Sequence, residues 1–147
     1  MMSLRKLLVT IFLIVFLAMS TNVDAEELCI DKAGAALTKL KSWKDLRLWY
    51  ESYSRCDDGY IAEGVSEFVT ASLAKNWVNL RSLNGEILKN QAFHRFIMKH
   101  IDATTDEEHL ITISINDRKQ CPSSLKPLCK GIEKNVQKAL KDMNGTR

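Results

Sequence analysis

Four cysteines, Cys29, Cys56, Cys121 and Cys129, all lie downstream of one apolar run near the N-terminus. No other feature constrains the chain as much. Arg5 and Lys6 precede the run, and Leu7 to Met19 is apolar apart from Thr10. That length suits the hydrophobic stretch of a signal peptide and falls short of the roughly 20 residues that a membrane-spanning helix needs. Ser20, Thr21 and Asn22 break the run, and Val23-Asp24-Ala25 offers small residues at the third-last and last positions before a cleavage site. We therefore read 1–25 as a signal peptide and 26–147 as one exported domain, with no stable membrane insertion after cleavage. Leu28 precedes Cys29 where a lipoprotein needs a small residue, which argues against lipidation.

An even cysteine count behind such a signal reads as two disulfides formed in an oxidising compartment. For a bacterial chain that compartment is the periplasm. A zinc site does not fit, because there is no Cys-x-x-Cys and no nearby histidine pair. No other metal and no cofactor is expected.

Hydrophobic residues make up 46% of the chain and charged residues 27%, which favours a buried core over disorder. The formal net charge of +3 leaves no electrostatic footprint for nucleic acid. Two prolines and six glycines supply too few turns for an all-β fold. Helical spacing dominates instead. Cys29, Ile30, Ala33, Ala36, Leu37 and Leu40 mark a first helix over 28–40, slightly weakened by Gly34. Ser42-Trp43-Lys44-Asp45 resembles a capping box, with Asp45 in place of glutamate. The face that follows is Leu46, Trp49, Tyr50, Tyr53 and Cys56.

Two such helices form a short antiparallel hairpin. Cys29 opens it and Cys56 closes it, so Cys29–Cys56 is the natural bridge, contributing about 3 kcal/mol. Cys121 and Cys129 then close a local loop, although the count alone allows three connectivities. Asp57 and Asp58 start the next helix, with the apolar stripe Ile61, Val65, Phe68, Val69, Leu73 and Trp77. The stretch 79–90 is a short helix or a loop, and Phe93, Phe96, Ile97, His100 and Ile101 mark another helix. Thr105-Asp106-Glu107-Glu108 is a second capping box. Ile111 to Ile115 alternates like a strand, but one strand has no partner, so helix is expected. Pro122 to Lys126 is a turn, Pro127 sits in a first helical turn, and Leu128, Ile132, Val136, Ala139 and Leu140 line the last helix. The expected fold class is all-α, a single disulfide-braced bundle of five to seven helices with a frayed tail from Asn144.

Chemistry-bearing patterns are thin. Ser72-Leu73-Ala74-Lys75 matches the serine–lysine pattern of some hydrolases, without the partner motifs those enzymes need, and reads as a polar helix face. His94 and His100 are six residues apart and cannot share a metal on one helix face. His100 reads as a core-edge histidine bonded to backbone. His100 with Asp102, or Glu108 with His109, sketches an acid–base pair that lacks a nucleophile and an oxyanion donor. Asp57-Asp58-Gly59 opens like a calcium loop, but the later ligand positions are missing. Trp43, Trp49 and Trp77 belong to the core by their spacing. Asn144-Gly145-Thr146 matches a glycosylation acceptor that matters only in a eukaryotic secretory pathway. No catalytic set emerges, and the chain is not expected to be an enzyme.

One stretch carries a resemblance. In Tyr53-Ser54-Arg55-Cys56-Asp57-Asp58-Gly59-Tyr60-Ile61-Ala62-Glu63-Gly64-Val65, a cysteine precedes Gly-Tyr-Ile and then a Gly-Val within a helix. This resembles the periplasmic immunity proteins of bacterial type VI secretion, of the Rap and Tai type. The resemblance spans about residues 29–80, and the Cys121–Cys129 segment departs from it, since a cysteine usually ends the last helix in those proteins. It implies a protein partner, a toxic cell-wall hydrolase blocked by direct binding. Asp57, Asp58, Tyr60 and Glu63, clustered at one helix start, are the partner-binding candidates, because acidic groups there suit a basic or metal-bearing rim. Two other classes fit the same architecture: a small periplasmic chaperone or stress protein with a switchable apolar face, and an inhibitor of a host lysozyme or protease.

Overall fold

Ser42 and Asp45 form a local cap. The Ser42 hydroxyl accepts the Asp45 backbone N–H at 3.2 Å, and the Asp45 carboxylate accepts the Ser42 O–H at 2.8 Å and the Lys41 N–H at 3.2 Å. These contacts satisfy donors that a helix start otherwise leaves bare. A helix therefore begins at Trp43, as expected from sequence. The computed structural model describes residues 27–145, so the expected signal peptide and the last two residues of the tail lie outside the described residues. Helix α1 covers 27–37, α2 is Trp43–Tyr53, α3 is Gly59–Lys75, α4 is Leu80–Ile87, α5 is Gln91–Lys99, α6 is Glu107–Gln120 and α7 is Lys126–Gly145. The fold is all-α with seven helices, and no strand occurs among the described residues.

Several boundaries differ from expectation. α2 stops at Tyr53 and continues as a tight 3-10 turn, Ser54–Cys56, which swings Cys56 inward. Trp77 lies beyond α3, in a 3-10 turn (Trp77–Asn79) that leads into α4. At α6 the cap is Asp106, whose carboxylate accepts the Glu108 N–H at 2.9 Å. Thr105 faces inward instead, its hydroxyl against that of Thr70. The strand-like alternation at 111–115 falls inside α6. That helix packs against α3 and α7 through Leu110 and Ile113, which are buried, while Ile111 and Ile115 reach solvent, so the alternation does not mark a buried face.

Core burial follows the periodicities. Leu46, Ile61, Val65, Val69, Phe93, Ile97, Leu110, Ile113 and Ile132 are fully covered, each contributing about 1.5–3 kcal/mol relative to exposure. The three tryptophans are buried too. Trp49 donates its indole N–H to the Ala33 carbonyl at 2.9 Å, fixing α1 against α2. Trp77 reaches the Gln120 carbonyl at 3.3 Å, joining the end of α3 to the end of α6. Arg47 and Glu86, 2.6 Å apart and largely shielded, tie α2 to α4. Two glycines let α1 lie close on α3. A side-chain carbon at Gly64 would stand 2.5 Å from Leu37, and one at Gly34 would stand 3.3 Å from the Tyr60 hydroxyl.

The disulfides join Cys29 with Cys56 and Cys121 with Cys129, the two pairings favoured from sequence, with Cα separations of 6.0 and 6.3 Å. The first pins the start of α1 to the end of α2. The second clips the end of α6 to the first turn of α7.

Candidate functional site

The Cys29–Cys56 bridge forms part of the wall of a surface cleft of about 560 Å³. Its lining is Cys29, Ile30, Arg55, Cys56, Asp58, Gly59 and Tyr60. Three elements meet here: the first turn of α1, the 3-10 turn after α2, and the start of α3. The convergence follows from local chemistry. Asp58 caps α3 by accepting the Gly59 N–H at 2.7 Å. Gly59 takes a φ of +50°, a left-handed conformation that glycine adopts at little cost. The chain thereby turns sharply out of Cys56 into α3 and throws Tyr60 outward.

Tyr60 is 60% exposed, a large exposure for an aromatic residue, and its hydroxyl rests beside Gly34 of α1. Gly34 supports the ring, a role its spacing in the sequence did not show. Among the described residues, the rim carries one cation, Arg55, and one anion, Asp58, beside the apolar Ile30. Among the described residues, no lining side chain pairs a nucleophile with a base.

The four acidic and aromatic candidates separate. Asp58 and Tyr60 line the cleft, and Glu63 is exposed further along α3. Asp57 turns inward, its side chain only 6% exposed. Its Oδ2 accepts from Lys99 Nζ at 2.8 Å and pairs with His100 Nε2 at 3.1 Å. Burial by itself raises this carboxyl, but the hydrogen bonds from His100 and Lys99 outweigh it and hold Asp57 below the usual aspartate range. Asp57 therefore fastens the cleft segment to α5 from within, and the exposed acidic surface is smaller than the sequence suggested. Two adjacent aspartates look alike in sequence. Their fates diverge because the partners of one lie 42 and 43 residues away.

His100 is likewise different from its expected role. It is 1% exposed and contacts side chains through both ring nitrogens: Nδ1 lies 2.9 Å from Ser66 Oγ and Nε2 faces Asp57. Asp102 reaches it only through Ser66, whose Oγ stands 2.9 Å from Asp102 Oδ2. Serine, histidine and aspartate thus come together, but Ser66 is itself 1% exposed and no substrate can approach it. His109 sits nearest Glu67, at 3.6 Å, and His94 is on a separate face near Gln91. Ser72 and Lys75 occupy the last turn of α3, where Lys75 is exposed.

A second acidic pair lies between α6 and α7. Burial and the nearby charge of Glu133 push Asp117 above the usual aspartate range, with Arg118 acting in opposition. Asp117, Cys121 and Cys129 bring ligand-type atoms within 4.8 Å of one another, but both sulfurs are held in a disulfide and neither is a thiolate. No helix among the described residues is long and apolar enough to cross a membrane. Compared with known proteins, the chain matches no protein-family model, no curated protein and no solved structure.

Proposed function

We propose that this chain is an exported protein that binds a toxic hydrolase of the cell wall and blocks it, acting in the bacterial periplasm as an immunity protein rather than as an enzyme. The observation that carries the reading is the cleft beside the Cys29–Cys56 bridge. It gathers an exposed tyrosine, an arginine and an aspartate around an apolar floor, and tyrosine and arginine are among the residue types enriched at binding hot spots. The bridge, the Asp58 cap and the Asp57 contacts hold these groups in place before any partner arrives, so little ordering entropy is lost on association. Two disulfides also suit an oxidising compartment. A chain with little net charge gains little from long-range steering, and its affinity must come from a buried anchor. Tyr60 is that anchor, flanked by Arg55 and Asp58, with Glu63 at the edge.

The test is to express the full chain with a C-terminal tag in the bacterium that encodes it, prepare periplasm, and identify what co-purifies. The expected result is one hydrolase at near-equal stoichiometry, inactive in the complex. A broad set of unfolded clients captured only at low pH would replace this reading with a chaperone. Capture of a host lysozyme or protease would replace it with an inhibitor.

A further inference from the structure

The Ser66 hydroxyl settles the proton arrangement around His100. It lies within hydrogen-bond distance of both His100 Nδ1 and Asp102 Oδ2, yet a hydroxyl has one proton to donate. Asp102 accepts two further bonds at Oδ1, from the Thr104 N–H at 2.8 Å and the Thr104 hydroxyl at 2.6 Å, which suits an ionised carboxylate. An ionised Asp102 cannot donate, so Ser66 donates to Asp102 and receives a proton from His100 Nδ1. On the other side of the ring, Asp57 Oδ2 also accepts from Lys99, so it too is an acceptor only, and Nε2 must donate to it. A ring that donates from both nitrogens is an imidazolium.

The surroundings agree. His100 closes the C-terminal end of α5, where bare carbonyls favour a cation. The Phe96 ring lies 4.4 Å from it, centroid to centroid. The charged and polar groups that face it come from three directions: Asp57 ahead of α3, Ser66 on α3, and Lys99 and Asp102 at the end of α5.

We propose that His100 is a proton-dependent clasp. With both ring protons it ties the Asp57–Tyr60 segment, one wall of the cleft, to the end of α5. When one ring proton leaves, the ring loses its charge, its tie to Asp57 falls from a charge-assisted ion pair to at most a neutral hydrogen bond, and that segment loosens. The clasp is a property of the free protein and holds whichever partner the cleft takes.

The test uses the disulfide-intact exported chain. Assigned ring-nitrogen NMR signals of His100 are followed from about pH 5 to about pH 9, together with amide hydrogen exchange. The reporter amides are Asp58, bonded to the Cys56 carbonyl, and Ile61, bonded to the Asp58 carbonyl. The expected result is two protonated ring nitrogens at the acidic end. Loss of one of them should coincide with a roughly tenfold fall in protection at Asp58 and Ile61, taken relative to the intrinsic base-catalysed exchange rate at each pH, with protection in the middle of α7 unchanged. In Ser66→Ala, which keeps the packing but removes the acceptor for Nδ1, the same loosening should occur at lower pH. A single protonated ring nitrogen throughout overturns the proposal. So does loss of a ring proton that leaves the Asp58 and Ile61 amides unmoved.

Discussion

Removing the two disulfides separately should have unequal costs, and the inequality follows from loop length. Cys29 and Cys56 are 27 residues apart, and Cys121 and Cys129 are 8 apart. In the chain-entropy description, opening the longer loop costs about 3.5 kcal/mol at 25 °C and the shorter about 2.5 kcal/mol. The loss of sulfur packing is similar in both, since each bridge joins one buried cysteine (Cys56 or Cys129) to one that is partly buried (Cys29 or Cys121). The comparison is between Cys29→Ala/Cys56→Ala and Cys121→Ala/Cys129→Ala. Urea unfolding should give a stability deficit larger by about 1 kcal/mol for the first variant, with similar m values. An equal or larger deficit for the second would refute the reasoning and place the stabilisation in native-state packing around α6 and α7. The first variant should also loosen the cleft, because its bridge lines it.

Gly59→Ala should destabilise by about 1–2 kcal/mol in the same unfolding assay, because φ at this position is +50°. Gly85→Ala, in α4 with open space around it, should instead stabilise by about 0.5–1 kcal/mol. Trp49→Phe should cost about 2 kcal/mol, since the buried Ala33 carbonyl loses its donor. Asp117→Asn should raise the unfolding midpoint at neutral pH. The Asp117 carboxyl is held above its ordinary range by burial and Glu133, so its contribution to stability is present below the unfolded-state value and is lost as pH rises through the folded-state value. The gain from Asp117→Asn should therefore shrink as melts are repeated toward acid.

Local features of this fold are legible in the sequence, and distant ones are not. The Ser42 cap, the α2 and α3 faces and Pro127 in the first turn of α7 all rest on contacts within one helical turn. The hairpin favoured Cys29–Cys56 and the short separation favoured Cys121–Cys129, the pairings the structure holds. Contacts between elements far apart in the chain were hidden. Ser66, His100, Asp57 and Asp102 form one network across three elements; the sequence suggests His100 with Asp102, but neither the Ser66 bridge between them nor the contact to Asp57. Gly34 and Gly64 appear as weak points in helices, while in the fold they are where α1 approaches α3. The cleft was half legible: Asp58 and Tyr60 line it, Asp57 does not, Ile30 reads in the sequence only as part of a core-facing stripe, and nothing in the sequence brings Arg55 beside it. His100 in particular shows only an apolar helix position, and its partners appear once α3 and α5 are brought together.

The cleft is the proposed binding surface, and affinity across a small variant set tests that most directly. Binding of the co-purifying hydrolase would be measured by calorimetry for the parent chain, Tyr60→Ala, Arg55→Ala and, as an exposed apolar control remote in sequence from the cleft, Val78→Ser. The account predicts about a 30-fold loss for Tyr60→Ala, the effect of removing a hot spot worth about 2 kcal/mol, a measurable loss for Arg55→Ala, and parental affinity for Val78→Ser. Equal affinity for the parent and Tyr60→Ala, or a loss confined to Val78→Ser, would contradict it.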